Sequence, residues 1–171
     1  MQRYELLDHW IRWITHTELS AFVLNYRWVW PISESFHFCA LTLMAGTVGL
    51  FDLRLLGLGK GVTPSALHRS LRWGVVGFVV SIITGILFIA GQPDQYFYNE
   101  AFRAKVVCLF LLGCNVIAFY SLEFSSVQRL GPNDDAPVRA KVIASLSLLL
   151  IASVMLCGRM LTFFRPSFVI G

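Results

Sequence analysis

The fold class of this chain is decided by residues 29–51, which read VWPISESFHFCALTLMAGTVGLF. Glu34 and His37 are the only acidic or basic side chains in this stretch. At about 1.5 Å per residue it forms a helix roughly 34 Å long, enough to cross the ~30 Å hydrocarbon core of a bilayer. Helices in the core of soluble proteins rarely run so long with so little charge. These residues therefore predict a transmembrane helix.

Three further stretches have the same character and contain no Asp, Glu, Lys or Arg: 73–91, 106–122 and 142–158. Short segments rich in glycine, proline and aspartate separate the four stretches, so neighbouring helices should run antiparallel. The pattern predicts an all-α fold, a membrane-embedded antiparallel four-helix bundle. An even number of spans also puts both termini on one side of the membrane. Each side has seven Lys or Arg residues, and the side opposite the termini has the excess when Lys105 and Arg159 are counted as part of the spans, which favours periplasmic termini.

The composition excludes several classes of protein. Apolar residues make up 56% of the sequence and charged residues 14%, whereas a soluble domain has about 25% charged residues. The Lys and Arg residues are scattered, so we expect no nucleic-acid partner. No phosphate-binding loop, nucleophile elbow, zinc-protease or dinucleotide motif is present. We expect a protein that contacts the lipid bilayer and is not an enzyme in its own right.

The first 28 residues differ from the rest. Their apolar side chains recur at helical spacing among charged ones, and Trp10 and Trp13 suit the headgroup region. The pattern predicts an N-terminal amphipathic interfacial helix, with docking on another membrane protein subunit as the alternative. The chain is therefore divided into an N-terminal amphipathic segment, residues 1–28, and a four-transmembrane-helix domain, residues 29–171.

Polar residues inside the spans suggest a cofactor site. Helical spacing gives three spans a stripe that we expect to face the bundle interior, because charges in lipid are costly. Glu34 and His37 lie on the stripe of the first span, Lys105 on that of the third, and Met155 and Arg159 on that of the fourth. The full stripes are Glu34, His37, Leu41, Ala45, Val48 and Asp52; Lys105, Cys108, Leu112, Asn115, Phe119 and Leu122; and Lys141, Ser145, Leu148, Ala152, Met155 and Arg159. His37 and Met155 lie at similar depth, which suits a b-haem or metal ligand set led by His37. The Glu34 carboxylate would orient His37, and the two cations would hold the haem propionates.

The spacing of other residues predicts further features of the bundle. Gly77, Ser81 and Gly85 form a small-residue face that permits close helix packing. Asp52, Arg72 and Lys141 are predicted to form a charged layer at the membrane side opposite the termini. His68 is interpreted as a solvated residue at a loop end. The four cysteines are interpreted as small buried side chains without disulfides: Cys39, Cys108, Cys114 and Cys157.

Several segments together resemble a family of bacterial four-helix membrane proteins of unknown function that is distantly similar to the copper-resistance protein D superfamily. The matching residues are 28–57, 77–88, 99–107, Asn115 and 145–164. The resemblance implies a four-helix membrane fold and a bacterial inner-membrane location. This chain departs from the family at Tyr120, because family members often carry a histidine near the end of the third helix.

These observations predict a small integral membrane subunit of a bacterial redox or electron-transfer complex, either accessory or binding b-haem through His37. A structural subunit without a cofactor is one alternative. A copper-handling protein is another, because several soft ligands fall in the half of the bundle nearer the termini: His37, Cys39, Cys108, Met155, Cys157 and Met160.

Overall fold

The computed structural model describes residues 2–164, with side chains from Leu7 onward, and this part of the chain is helical without strands. Four helices are long and apolar enough to cross a membrane. This confirms the all-α class and the four predicted spans. Their bounds are α3 Val29–Leu55, α5 Leu71–Gly91, α7 Glu100–Leu122 and α9 Val138–Met160. Residue 1 and residues 165–171, which the two predicted segments include, lie outside the described residues.

The remaining helices are short and lie at the two ends of the bundle. They are α1 Gln2–Thr15, α2 Glu18–Asn25, α4 Pro64–His68, α6 Pro93–Phe97 and α8 Phe124–Gln128. The N-terminal segment thus forms two helices rather than one continuous helix. The division lies at Thr17, whose hydroxyl caps α2 by accepting the Ser20 amide hydrogen at 3.3 Å. Trp10 and Trp13 are exposed on α1, as an interfacial helix requires.

Contacts at the ends of the spans show how the bundle is arranged. The Tyr98 hydroxyl, just after α6, donates a hydrogen bond to the Asp8 carboxylate of α1. Asn99 Nδ2 donates to the Leu161 carbonyl oxygen beyond α9 at 3.0 Å. Both ends of the described chain therefore lie on the same side, which we call the terminal side. The opposite side, with α4 and α8, is called the loop side.

The four spans do not pack evenly around the bundle. Helix α3 packs closely against α5 and also contacts α9, and α9 packs closely against α7. No comparable packing joins α5 to α7. The bundle is therefore open along the α5–α7 side, where the two helices are held apart.

The closest approach of two spans is between α3 and α5. A Cβ atom added to Gly77 would lie 2.5 Å from the Ala40 carbonyl oxygen and 3.1 Å from the Met44 nitrogen. At Gly74 it would lie 2.6 Å from the Thr47 hydroxyl. The predicted small-residue contact is thus confirmed at Gly77. It is wrong at Gly85, where an added Cβ would meet no atom within 4 Å.

Replacing Gly77 with alanine should push α5 away from α3, because the new methyl group would meet main-chain atoms that cannot rotate away. We expect Gly77→Ala to lower the free energy of unfolding by about 1–3 kcal/mol. Reversible unfolding in mixed micelles, followed by circular dichroism, measures this change. Gly85→Ala is the matched control and should have little effect. Equal stabilities of the two variants would contradict the close approach.

Arg54 holds the loop side together. Its side chain is 1% exposed, and its guanidinium donates to three carbonyl oxygens. Nε donates to Val62 at 2.5 Å, Nη1 to Asp134 at 3.3 Å and Nη2 to Gly131 at 3.3 Å. These acceptors belong to two different loops, so one buried cation ties the loop after α3 to the loop before α9. The charge is satisfied by main-chain dipoles rather than by a carboxylate.

Asp52, Arg72 and Lys141 lie near the loop-side ends of α3, α5 and α9, as predicted, but they form no ion pairs with one another. Lys141 pairs instead with Asp135, at 3.4 Å, and Lys60 pairs with the same carboxylate at 2.9 Å. Arg72 is exposed, and Asp52 makes no ion pair with a described residue. The depth of these three residues was predictable from the sequence but their partners were not, because Asp135 lies in a loop outside the spans.

The two lysines stabilise the charged form of Asp135, and their hydrogen bonds and charges lower the pKa of this carboxyl group below its ordinary value. A lowered folded-state pKa means that the contribution to stability is present above the ordinary pKa of aspartate. It is lost as the pH falls through the lowered value. We expect Lys60→Gln and Lys141→Gln each to raise the pKa of Asp135, measured by carboxyl carbon NMR in micelles.

The control for this titration is Arg129→Gln. Arg129 is exposed on the same side and makes no ion pair among the described residues. An Asp135 pKa that stays constant in both lysine variants would show that the pairs do not persist in solution.

Candidate functional site

The five residues predicted to form a cofactor site are not assembled into one. Glu34 and Arg159 are exposed, and Met155 is 46% exposed on the outer face of α9. His37 and Lys105 are half-buried. No ion pair joins Glu34, Lys105 and Arg159, all three of which are described. The prediction that these charges meet inside the bundle is therefore wrong.

The error lies in the rotation of two helices. The buried stripe of α9 is one residue earlier than predicted, which rotates the helix by about 100°. Met155 and Arg159 consequently face outward. On α3, Ser33, Ala40 and Met44 are buried, so His37 borders the interior and Glu34 does not. The buried residues of α9 are Ala140, Ala144, Ser147, Leu150, Ile151 and Val154.

His37 is held by α5 rather than by Glu34. Its Nδ1 lies 2.7 Å from the Thr84 hydroxyl oxygen, and its ring packs edge-on against Phe88 with centroids 5.3 Å apart. The Thr84 hydroxyl donates to the Val80 carbonyl oxygen at 2.8 Å, so toward His37 it acts as an acceptor. The Ser81 main chain also forms a hydrogen bond with the imidazole. With Nδ1 as the donor to these oxygens, Nε2 would carry the lone pair.

Lys105 belongs to a different cluster, between α7 and α9. Its ammonium lies 3.8 Å from the position of a Cβ atom on Gly158, and it interacts with the Cys157 thiol. The Cys108 thiol also interacts with Cys157. The sequence placed Cys157 off the interior stripe because the rotation of α9 was predicted wrongly.

Cys39 and Cys114 are exposed, so the interpretation of all four cysteines as buried is wrong.

His68 is a half-buried part of an aromatic cluster and not a solvated loop-end residue. Its Nε2 lies 3.1 Å from the Tyr120 hydroxyl oxygen, and its ring packs against Phe124 with centroids 4.9 Å apart. Phe51 contacts the opposite part of the cluster. Tyr120 therefore uses its hydroxyl to bind a histidine of the neighbouring helix.

A cavity lies on the loop-side half of the bundle, among all four spans. Its volume is about 300 Å³, and it opens where α5 and α7 are held apart. Three polar side chains share it: Asp52, Asn115 and Ser147. The rest of its lining is apolar apart from the Tyr120 hydroxyl: Met44, Val48, Phe51, Leu71, Gly74, Val75, Phe78, Leu109, Leu112, Gly113, Val116, Phe119, Tyr120, Ile143 and Ile151.

At the polar end of this cavity the amide group has a hydrogen-bond partner, whereas one carboxylate oxygen has none in the described part of the chain. Asp52 is 5% exposed, and its Oδ2 has no hydrogen-bond partner among the described residues. The Ser147 hydroxyl is close to the carboxyl group. Asn115 Nδ2 donates to the Ile143 carbonyl oxygen at 3.1 Å, which fixes the amide. Sequence reasoning placed Asp52 and Asn115 on interior stripes but missed Ser147, because it predicted the wrong face of α9.

Comparison with known proteins identifies a family. The model that matches residues 12–164 is that of a family of unknown function, DUF6644. No curated protein and no solved structure matches the chain. The matched residues include all four spans, α2 and the end of α1. The chain therefore belongs to the DUF6644 family of unknown function.

Proposed function

We propose that this protein is a small accessory subunit, not itself an enzyme, of an electron-transfer complex in the bacterial inner membrane. One face of α3 supports this proposal. Four small or polar residues at intervals of three or four are exposed along it: Ser35, Cys39, Thr42 and Gly46. Small residues at this spacing let the main chain of another transmembrane helix approach closely.

The groups on this face permit the close approach of a partner helix. The Ser35 and Thr42 hydroxyls each donate to a carbonyl of their own helix at 2.9 Å, so they present no unsatisfied donor. An added Cβ on Gly46 would meet nothing within 4 Å, which leaves a notch. Glu34 flanks the face and is exposed. A carboxylate at the membrane edge favours a partner that supplies a hydrogen-bond donor or a cation.

The remaining surface fits the lipid bilayer. In the most apolar part of each span, at most 33% of the residues are buried, and in α7 the share is 17%. We place the loop side in the cytoplasm and the terminal side in the periplasm, because the sequence assigns five Lys or Arg residues to the terminal side and seven to the loop side when Lys105 and Arg159 are counted as part of the spans. Lys60, Arg69, Arg129 and Arg139 belong to this set.

Two exposed cysteines test the partner face. Cys39 lies on it, and Cys114 lies on the outer face of α7, each within about 5 Å of the middle of its helix. In native membranes, a variant with Cys39 alone should react with N-ethylmaleimide several times more slowly than a variant with Cys114 alone. Purification into nanodiscs should remove this difference. Equal rates in native membranes would indicate that the α3 face contacts lipid and would contradict the proposal.

A second candidate function is b-haem binding through His37. The specific support is the hydrogen bond from Nδ1 to Thr84, which leaves the Nε2 lone pair available, as in ligand histidines oriented by a neighbouring acceptor. Met155 does not fit as the second axial ligand because it faces outward on α9. The half-buried Lys105 remains a candidate for a propionate contact.

The absorption spectrum of purified protein tests this second candidate. We expect a Soret band that shifts on reduction, lost in His37→Ala and retained in His68→Ala. Both histidines bond one hydroxyl of a neighbouring helix, so the pair is well matched. Wild-type protein without such a band, or His37→Ala with full haem, would exclude the haem site. Metal analysis of the same sample tests copper handling, for which the interacting Cys108 and Cys157 thiols are the candidate ligands.

A further inference from the structure

We propose that the cavity beside Asp52 binds a cationic amphiphile, a molecule with a primary ammonium group and an alkyl chain. The head group would pair with Asp52, and the chain would lie along the apolar walls toward the middle of the membrane. This binding site is independent of the α3 face and of His37, neither of which contributes to the cavity.

The charge of the ligand follows from what Asp52 lacks. Its side chain is 5% exposed, and the three ion pairs of the described residues all involve other carboxylates. Arg54, two residues later, donates to loop carbonyl oxygens and does not compensate Asp52. A carboxylate without a counter-charge is costly in a membrane interior. A bound cation supplies the missing partner.

The arrangement of acceptors favours a primary ammonium group. Asn115 uses its NH₂ group on the Ile143 carbonyl oxygen, so its own carbonyl oxygen remains as an acceptor. The Asp52 carboxylate and the Ser147 hydroxyl provide two more acceptors in the same cavity. An ammonium group has three N–H donors, one for each of these oxygens. Phe51 and Phe119 line the cavity with edge-on rings 5.5 Å apart, and aromatic faces also attract cations.

The cavity extends from a polar end at Asp52 to an apolar end deeper in the membrane, which suits an amphiphile. Met44 lies on the same helix as Asp52 and about 12 Å deeper in the membrane. Leu109 and Ile151 extend the apolar wall toward the terminal side. Entry from the lipid is possible between α5 and α7, where Gly113 is exposed and an added Cβ would meet nothing within 4 Å. A volume of about 300 Å³ is at the small end of ligand pockets.

Binding of radiolabelled dodecylammonium to the full chain in phosphatidylcholine nanodiscs tests the proposal. We expect saturable binding at one site per chain, and competition by unlabelled dodecylammonium but not by dodecanol at the same concentration. Asp52→Asn removes the charge and keeps the shape of the side chain. It should weaken binding by at least about tenfold, because the ammonium would lose its counter-charge.

A pair of glycines controls for occupation of the cavity. Gly113→Leu places a side chain in the opening and should reduce binding strongly, whereas Gly85→Leu fills open space outside the cavity and should leave binding unchanged. Absence of saturable binding, equal binding by Asp52→Asn, or equal competition by dodecanol would each overturn the proposal. If Asp52→Asn does not fold, the dodecanol competition and the two glycine variants still decide it.

Discussion

The close approach of α3 and α5 at Gly77 is the contact on which the rest of the bundle depends. A glycine there lets the Ala40 carbonyl oxygen lie where a side chain would otherwise be. Thr84 follows Gly77 by about two helical turns on the same face of α5, so the same approach brings its hydroxyl to His37. Because α5 is held to α3, it stands away from α7, and the cavity beside Asp52 opens between them.

The four spans could be predicted from the sequence because hydropathy and length decide them without any knowledge of packing. The rotation of each span could not. On α7 the predicted stripe is correct as far as Phe119: Leu112, Asn115 and Phe119 are buried, whereas Leu122 is exposed. On α9 it is wrong by one residue, because apolar side chains surround the helix and its polar residues were assumed to face inward. Arg159 lies within about one turn of the helix end, where a long side chain reaches the headgroups.

The candidate sites were predictable only in part for the same reason. His37 and Asp52 were recognisable from the sequence, since ionisable residues in spans are rare and costly. Their partners were not. Thr84 looks like an ordinary helix hydroxyl that bonds its own main chain, which it also does. Whether it also meets His37 depends on the relative rotation of two helices, which only the packed structure determines.

Inside a bilayer a polar group must find its partner within the protein or in a ligand, because water is absent. Arg54 finds loop carbonyls, His37 finds Thr84, and Asn115 finds the Ile143 carbonyl. Among the described residues the buried side-chain atoms without partners are two serine hydroxyls and Oδ2 of Asp52. An unpaired hydroxyl costs far less than an unpaired carboxylate. Oδ2 of Asp52 is thus the carboxylate oxygen among these unpartnered atoms, and it faces a cavity, which is the arrangement expected where a ligand completes the site.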